Sequence, residues 1–296
     1  MSAKKTEVAE ESKGVVVQEA AGGLVAVDMG FLEMGDFGAG FEGADKDSYA
    51  IPFLQILQKM SPKVDKDDPA YIPGAEAGML YNTVTGRLYE GKKGLDLVPC
   101  AYKRSYILWG GREGGESGFK GEFTVEEFEA LKLDPAKVKM VEGKPYVPNE
   151  DGSVNEKKNA FYADTRSHYV TLIDPETGEF GNAIVSLASS QIKSSKKLLT
   201  SLQQKKVQTP KGLMTPPTFA NLVRMTTVGM KNDQGSWSGA EFTLKGLVAD
   251  RNIFDAAKEF HAAIIAGTMK ADYSKADATE AAGEAGVGGA TEAEGF

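Results

Sequence analysis

From Leu95 to Trp109 the chain reads LDLVPCAYKRSYILW, a long β-rich run that limits the fold more than any other segment. Proline has no N–H to give to a ladder, so Pro99 is expected at an edge or a bulge of this strand. Three other stretches repeat the theme. MLYNTVTGRLYEG and YVTLIDPETGEFGNAIVSLA place strand-forming residues on either side of turns at Gly86 and at Pro175–Gly178. LVRMTTVGMKNDQGSWSGAEFTLKGLV predicts a hairpin turning at Lys231–Gly235.

Helices are fewer. FTVEEFEALKL carries Thr124 and Glu127 at capping-box spacing and predicts a short helix within an insertion. A second runs from Ser190 to about Gln204, capped by Ser189 or Ser190 and ended before Pro210. A third spans Ile253 to Ile265, with Ile253, Ala257, Phe260 and Ile264 on one face and Gly267 closing it. Strands in antiparallel series with a few helices favour a compact β barrel or a sandwich with helical additions, and an oligonucleotide-binding (OB) barrel is one member of that set. No solenoid-type repeat interrupts the series.

The ends have a different composition. Residues 1–48 are rich in Gly, Ala, Asp and Glu, and residues 271–296 are Ala/Gly/Glu low complexity; both are expected to be disordered, flanking one folded domain over 49–270. No apolar run has the length of a membrane span and no secretory leader pattern opens the chain, so an intracellular protein is expected. A single cysteine, Cys100, leaves no internal disulfide and fits a reducing compartment.

Charge is distributed just as unevenly. The formal net charge is −8, yet the first fifty residues hold 4 Lys/Arg against 10 Asp/Glu, and residues 271–296 hold 1 against 6. The middle is slightly basic. Phe180 to Asn232 contains eight Lys/Arg and no acid, and SSQIKSSKKLLTSLQQKK (Ser189–Lys206) supplies five of them. On a helix, Ile192, Leu198, Leu199 and Leu202 fall on one arc of about 120° while Lys193, Lys196 and Lys197 fall on another. A solvated lysine face is the plain reading, but like charges at i, i+4 with no acid nearby along the chain point to an anionic partner.

Catalytic signatures are scarce. Two histidines and one cysteine cannot make a zinc site of the usual Cys/His kind. His168 and His261 read as structural, Cys100 as a small buried hydrophobe, and WGGREGGESGFKG as a mobile loop that matches no phosphate-binding pattern. No cofactor or metal is expected. A metal-dependent nuclease built on carboxylates that no spacing singles out is the alternative.

The cations are interleaved with aromatics. In CAYKRSYILWGGR, Tyr102, Arg104 and Tyr106 share one face of a strand, with Lys103 and Trp109 on the other and Arg112 beyond. Such a ladder suits base stacking with cations along the backbone, or a cross-strand cluster packed under a loop. Arg224 and Lys231 flank the predicted hairpin turn with Trp237 just past it, either to clamp a strand or to close the hairpin. The terminal TEAEGF offers Glu292, Glu294 and Phe296 as a docking element or as a solubilising tail.

The order YAIPFLQILQKMSP, LDLVPCAYKRSYILW, IVSLASSQIKSSKKLLTSL and PPTFANLVRMTTVGMKNDQGSWSGAEF, over roughly Tyr49 to Ala266, resembles a family of bacteriophage single-stranded DNA-binding proteins. The resemblance implies an OB barrel flanked by acidic tails, and a non-enzymatic role in phage replication or recombination within the infected host's cytoplasm. It also implies a tail that docks on replication partners such as a phage polymerase or recombination protein, and it leaves room for a homo-oligomer. Under that expectation Lys193, Lys196, Lys197, Lys205, Lys206 and Arg224 neutralise phosphates, while Tyr102, Tyr106 and Trp237 stack bases around Arg104.

Overall fold

The structure is a computed structural model describing residues 15–19, 24–28, 39–44, 48–111, 113, 117–232 and 235–276, with backbone alone at the first two stretches. Two compact units divide at Tyr49/Ala50. In the first, β1 (Val15–Glu19) and β2 (Leu24–Asp28) pair as an antiparallel ribbon, in a segment expected to lack structure. Their VVVQE and LVAVD sequences supply the β-branched residues that the surrounding Gly and Glu obscure.

The second unit is mainly antiparallel β, a curled half-barrel sheet with three helices among the described residues, consistent with an OB-like fold. Its spine is β6 (Leu95–Trp109), which pairs along its length with β10 (Phe161–Ile173). β10 turns at Pro175–Gly178 into β11 (Phe180–Ala188), and β14 (Asn221–Asn232) and β15 (Gly235–Leu247) form the hairpin whose first strand returns to β6 at Leu95–Leu97. Pro99 sits at the predicted bulge, where the β6–β10 register shifts between Tyr169 and Val170. Gly94 lets β14 approach: it has φ 72°, and a Cβ there would stand 2.3 Å from the Met225 carbonyl oxygen.

Smaller elements surround this sheet. β3 (Leu54–Ile56), β4 (Leu80–Asn82) and β5 (Leu88–Tyr89) form a three-stranded sheet; β7 (Phe119–Phe123) pairs with the end of β6. The helix α1 (Val125–Lys132) has its capping box, Glu127 N–H donating to Thr124 Oγ1 and Thr124 N–H to Glu127 Oε2. It is followed by β8 (Lys139–Val141) and β9 (Lys144–Tyr146). The lysine-rich helix α2 (Ile192–Gln204) follows a 3₁₀ turn over Ser189–Gln191, so its cap position is Gln191 and no serine side chain caps it, contrary to expectation. After α2 come a short hairpin, β12 (Val207–Thr209) and β13 (Gly212–Met214), and, at the end of the domain, α3 (Arg251–Ile265) capped by Asp250.

Period-2 alternation gives the main sheet two buried faces. Leu95, Leu97, Val170, Leu172, Val185, Leu187, Met225 and Ala240 fill the inner face with β3–β5. On the outer face Val98, Cys100, Ile107, Trp109, Tyr169 and Ile184 pack under Ala257 and Phe260 of α3. The domain does not end at 270. Tyr273 is buried against Phe53 and Phe119, and its hydroxyl hydrogen-bonds Ser167 Oγ.

The free edge of β15 is closed by side chains rather than by a strand. Gln58 Nε2 donates to the Ser238 carbonyl while Ser238 N–H donates to Gln58 Oε1, both at 2.9 Å; Ala240 N–H donates to Gln191 Oε1 at 2.9 Å. No described helix is long and apolar enough to cross a membrane.

Candidate nucleic-acid interface

The face of β6 that bears Tyr102, Arg104 and Tyr106 is matched on β10 by His168, Arg166 and Asp164, its direct cross-strand partners. This ladder continues the inner face of the sheet past the barrel core, and each end lies under a helix. At one end Tyr106 is stacked on Phe128 of α1, ring centroids 3.7 Å apart, in a cluster with Val138 and Tyr162. At the other, His168 Nε2 and Ser195 Oγ of α2 form a 2.7 Å hydrogen bond, and the imidazole packs on the Tyr102 ring at 5.2 Å. The lysine helix therefore does border the aromatic strand, through His168.

Between the two helices lies a polar floor. Asp164 Oδ2 accepts from Arg104 Nη2 and from Arg166 Nη2, each at 2.9 Å, and Arg104 Nε donates to Oδ1. Arg166 Nη1 also donates to the Tyr102 hydroxyl at 3.0 Å. Two guanidiniums around one carboxylate leave a net positive charge, set low in the floor by Arg166 (side chain 13 % exposed) and at its rim by Arg104 (36 %). His168 adds no charge near neutrality. Burial, and to a lesser extent the Arg166 charge, push it down to about 4. Tyr102 is the exposed aromatic of the floor, 37 % open.

The helix divides as its periodicity predicts. Leu198 and Leu202 are buried against Val223, Phe242 and Leu244. Lys193, Lys196 and Lys197 are exposed. The acid absent from the neighbouring sequence comes from across space, since Lys197 Nζ lies 3.7 Å from Glu241 Oε1 on β15. Lys193 and Lys196 make no ion pair among the described residues.

The other predicted contacts are placed unevenly. Tyr106 and Trp109 are core side chains and offer no ring to a ligand; Trp109 packs on the outer face against Phe119. Lys103 pairs with Glu122 at 2.9 Å on that same outer side. Arg224 is held by both oxygens of Asp96, with Nη2 to Oδ2 at 2.7 Å. Lys205 Nζ donates to the Gly246 carbonyl, and Lys206 Nζ bonds Thr215 Oγ1 at the foot of the β12–β13 hairpin. Lys231 is exposed near the β14–β15 tip, and Trp237, opposite Met230, is half-buried with its Nε1 buried and without an acceptor among the described residues. Arg112, Glu292, Glu294 and Phe296 lie outside the described residues.

The structure adds two residues that the sequence reading passed over, Arg166 and Asp164. Their signal is the alternation Asp164–Arg166–His168 in DTRSHY, legible only once β10 is set in register against β6. Cys100 and His261 are structural: His261 Nδ1 bonds the Cys100 carbonyl at 2.7 Å, and burial pushes the Cys100 thiol up to about 11. Among the described residues no three His, Cys, Asp or Glu side chains gather to hold a metal ion.

Against this geometry the comparisons add one finding: residues 20–270 match the model of the Pam3 phage gp34-like protein family. The chain belongs to that family. The match runs through the whole of the candidate floor and α2, and stops three residues short of the buried Tyr273. No curated protein and no solved structure matches the chain. Family membership makes this a phage-type protein and leaves its chemistry to be argued from the side chains.

Proposed function

We propose that the chain binds single-stranded DNA without sequence preference and without catalysis, serving phage replication or recombination. The observation that carries this reading is the join between α2 and the sheet. Lys193 and Lys196, exposed and without an ion pair among the described residues, lie on the helix whose Ser195 is bonded to His168 at the end of a floor in which two guanidiniums share one carboxylate and Tyr102 lies open. Phosphates supply the anion that the lysines and the surplus guanidinium charge call for, and Tyr102 supplies a platform on which any base can stack, worth about 1–3 kcal/mol per base. The guanidiniums of the floor are already engaged with Asp164 and the Tyr102 hydroxyl, which favours their acting on phosphates as charge over their reading base edges.

The strand order supports the same reading. β6, β10, β11, then α2, then β14 returning to β6 and β15 follow the order of the five strands and intervening helix of an OB barrel. In such barrels oligonucleotides cross the face of the second and third strands. Here the outer side of those strands carries α3 and Tyr273, which directs the path to the ladder face beside α2.

The test is a fluorescence titration with oligo-dT and with a duplex of the same length, at two salt concentrations. Binding that prefers the single strand and weakens with salt supports the proposal. Equal affinity for the duplex, or affinity indifferent to salt, overturns it.

A further inference from the structure

The β12–β13 hairpin, which directly follows α2, has an anatomy that folding alone does not explain. It forms a two-stranded sheet of its own, with Val207 opposite Met214 and Gln208 opposite Leu213. Its turn is Pro210–Lys211 followed by Gly212 at φ 103°, where Thr209 Oγ1 donates to the Gly212 carbonyl at 2.8 Å. Leu213 is 70 % exposed and Met214 49 % exposed. Consecutive strand residues project to opposite faces, so each face of the ribbon presents an apolar side chain to solvent. A free two-stranded ribbon is marginal in water, and this one is tied down at its foot by Lys206 Nζ to Thr215 Oγ1 and by Thr215 Oγ1 to the Gln203 carbonyl. Three lysines are attached to it: Lys205 and Lys206 immediately precede β12, and Lys211 lies in its turn.

We propose that this hairpin is a strand-separating pin that engages the junction between duplex and single-stranded DNA. The inference rests on the single-strand reading above and goes beyond it, because coating a single strand needs no such element. Charge complementarity selects nucleic acid as the occupant, and the apolar side chains on the two faces of the ribbon's second strand select a base step. Leucine and methionine are residues that proteins wedge between bases to unstack them. With Leu213 toward one strand and Met214 toward the other, the ribbon separates the last base pair. α2, continuous with the foot of the hairpin, receives the released strand.

Anisotropy titrations with three probes test it: a thymidine single strand, a blunt duplex, and a forked duplex bearing the same single-stranded arms. The full chain is expected to bind the fork about tenfold tighter than the single strand, and the Leu213→Ser/Met214→Ser variant to lose that preference while keeping single-strand affinity within about twofold. Leu213→Ser alone, which keeps the charge and removes the apolar side chain from one face, is expected to lose part of the preference; both variants are checked for unchanged thermal melting. A fork bound no better than the single strand, or a preference that survives in the double variant, overturns the pin and leaves single-strand binding standing. Absence of binding to all three probes overturns both.

Discussion

Ser195 on α2 and His168 on β10 are joined by a 2.7 Å hydrogen bond, and that bond is where the cationic helix meets the aromatic ladder. His168 is held neutral, its value depressed to about 4 from an ordinary 6.5. In the unfolded chain the ring takes up its proton near pH 6.5, while the folded chain refuses it until about pH 4. Its contribution to stability is therefore complete above pH 6.5 and is lost as pH falls through that window, on the order of 3 kcal/mol in total. Urea unfolding at pH values between these limits should show this slope in the wild type. In His168→Gln, which keeps a hydrogen-bonding partner for Ser195 but cannot titrate, the fall in stability across this window should be smaller by that amount; an unchanged fall would place the pH dependence elsewhere.

The three lysines are not equivalent. Lys193 and Lys196 are unpaired among the described residues, whereas Lys197 already faces Glu241. On the proposed function, Lys193→Ala and Lys196→Ala each reduce the salt slope of single-strand binding by about 0.7–1, and Lys197→Ala by less. Glu241→Gln, which releases Lys197, should tighten binding by about two- to threefold, in keeping with the small worth of an exposed pair. Salt titrations of the four variants decide the ranking.

Tyr102 and Tyr106 separate binding from stability. Tyr106, sandwiched under Phe128, should cost about 3 kcal/mol of stability when replaced by Ala. Tyr102→Ala, which loses only the His168 ring contact and the Arg166 hydrogen bond, should cost less stability than Tyr106→Ala and weaken oligo-dT binding by about 1–3 kcal/mol. Thermal melts and titrations of both variants test the pair, and the reverse pattern would remove Tyr102 from the floor.

Tyr273 fixes the end of the folded domain. Tyr273→Phe deletes the hydroxyl that bonds Ser167 and should cost about 1–2 kcal/mol. A chain ended at residue 270 uncovers Phe53 and Phe119 as well, and should melt well below Tyr273→Phe. Equal melting of the full and shortened chains would show that the segment contributes nothing.

The strands and helices were legible because each carries local chemistry. Pro99 marks its bulge, Gly86 and Pro175–Gly178 mark their turns, Thr124 and Glu127 cap α1, and Leu198 and Leu202 of α2 lie inward. What failed was inference across space. Tyr106 and Trp109 read as ligands because nothing local reveals that α1 and Phe119 cover them. Arg224 read as free because its partner, Asp96, is 128 residues away, and Glu241 answers Lys197 from a strand beyond the acid-free stretch. Arg166 stayed hidden for the same reason, since its meaning depends on the β6–β10 register. Tyr273 was assigned to a low-complexity tail because one aromatic among alanines and acids carries no periodic signal.

On the proposed function, the amide clasps of Gln58 and Gln191 on β15 bear on how copies of this protein would coexist when crowded along a shared strand. A bare strand edge is a template on which a neighbour can grow a continuous sheet, and coated filaments bring many such edges together. At Ser238 and Ala240 that template is already occupied by side chains from the same chain. Neighbours pressed together at these positions meet a finished surface, so packing along a strand need not turn into irreversible β-polymerisation there.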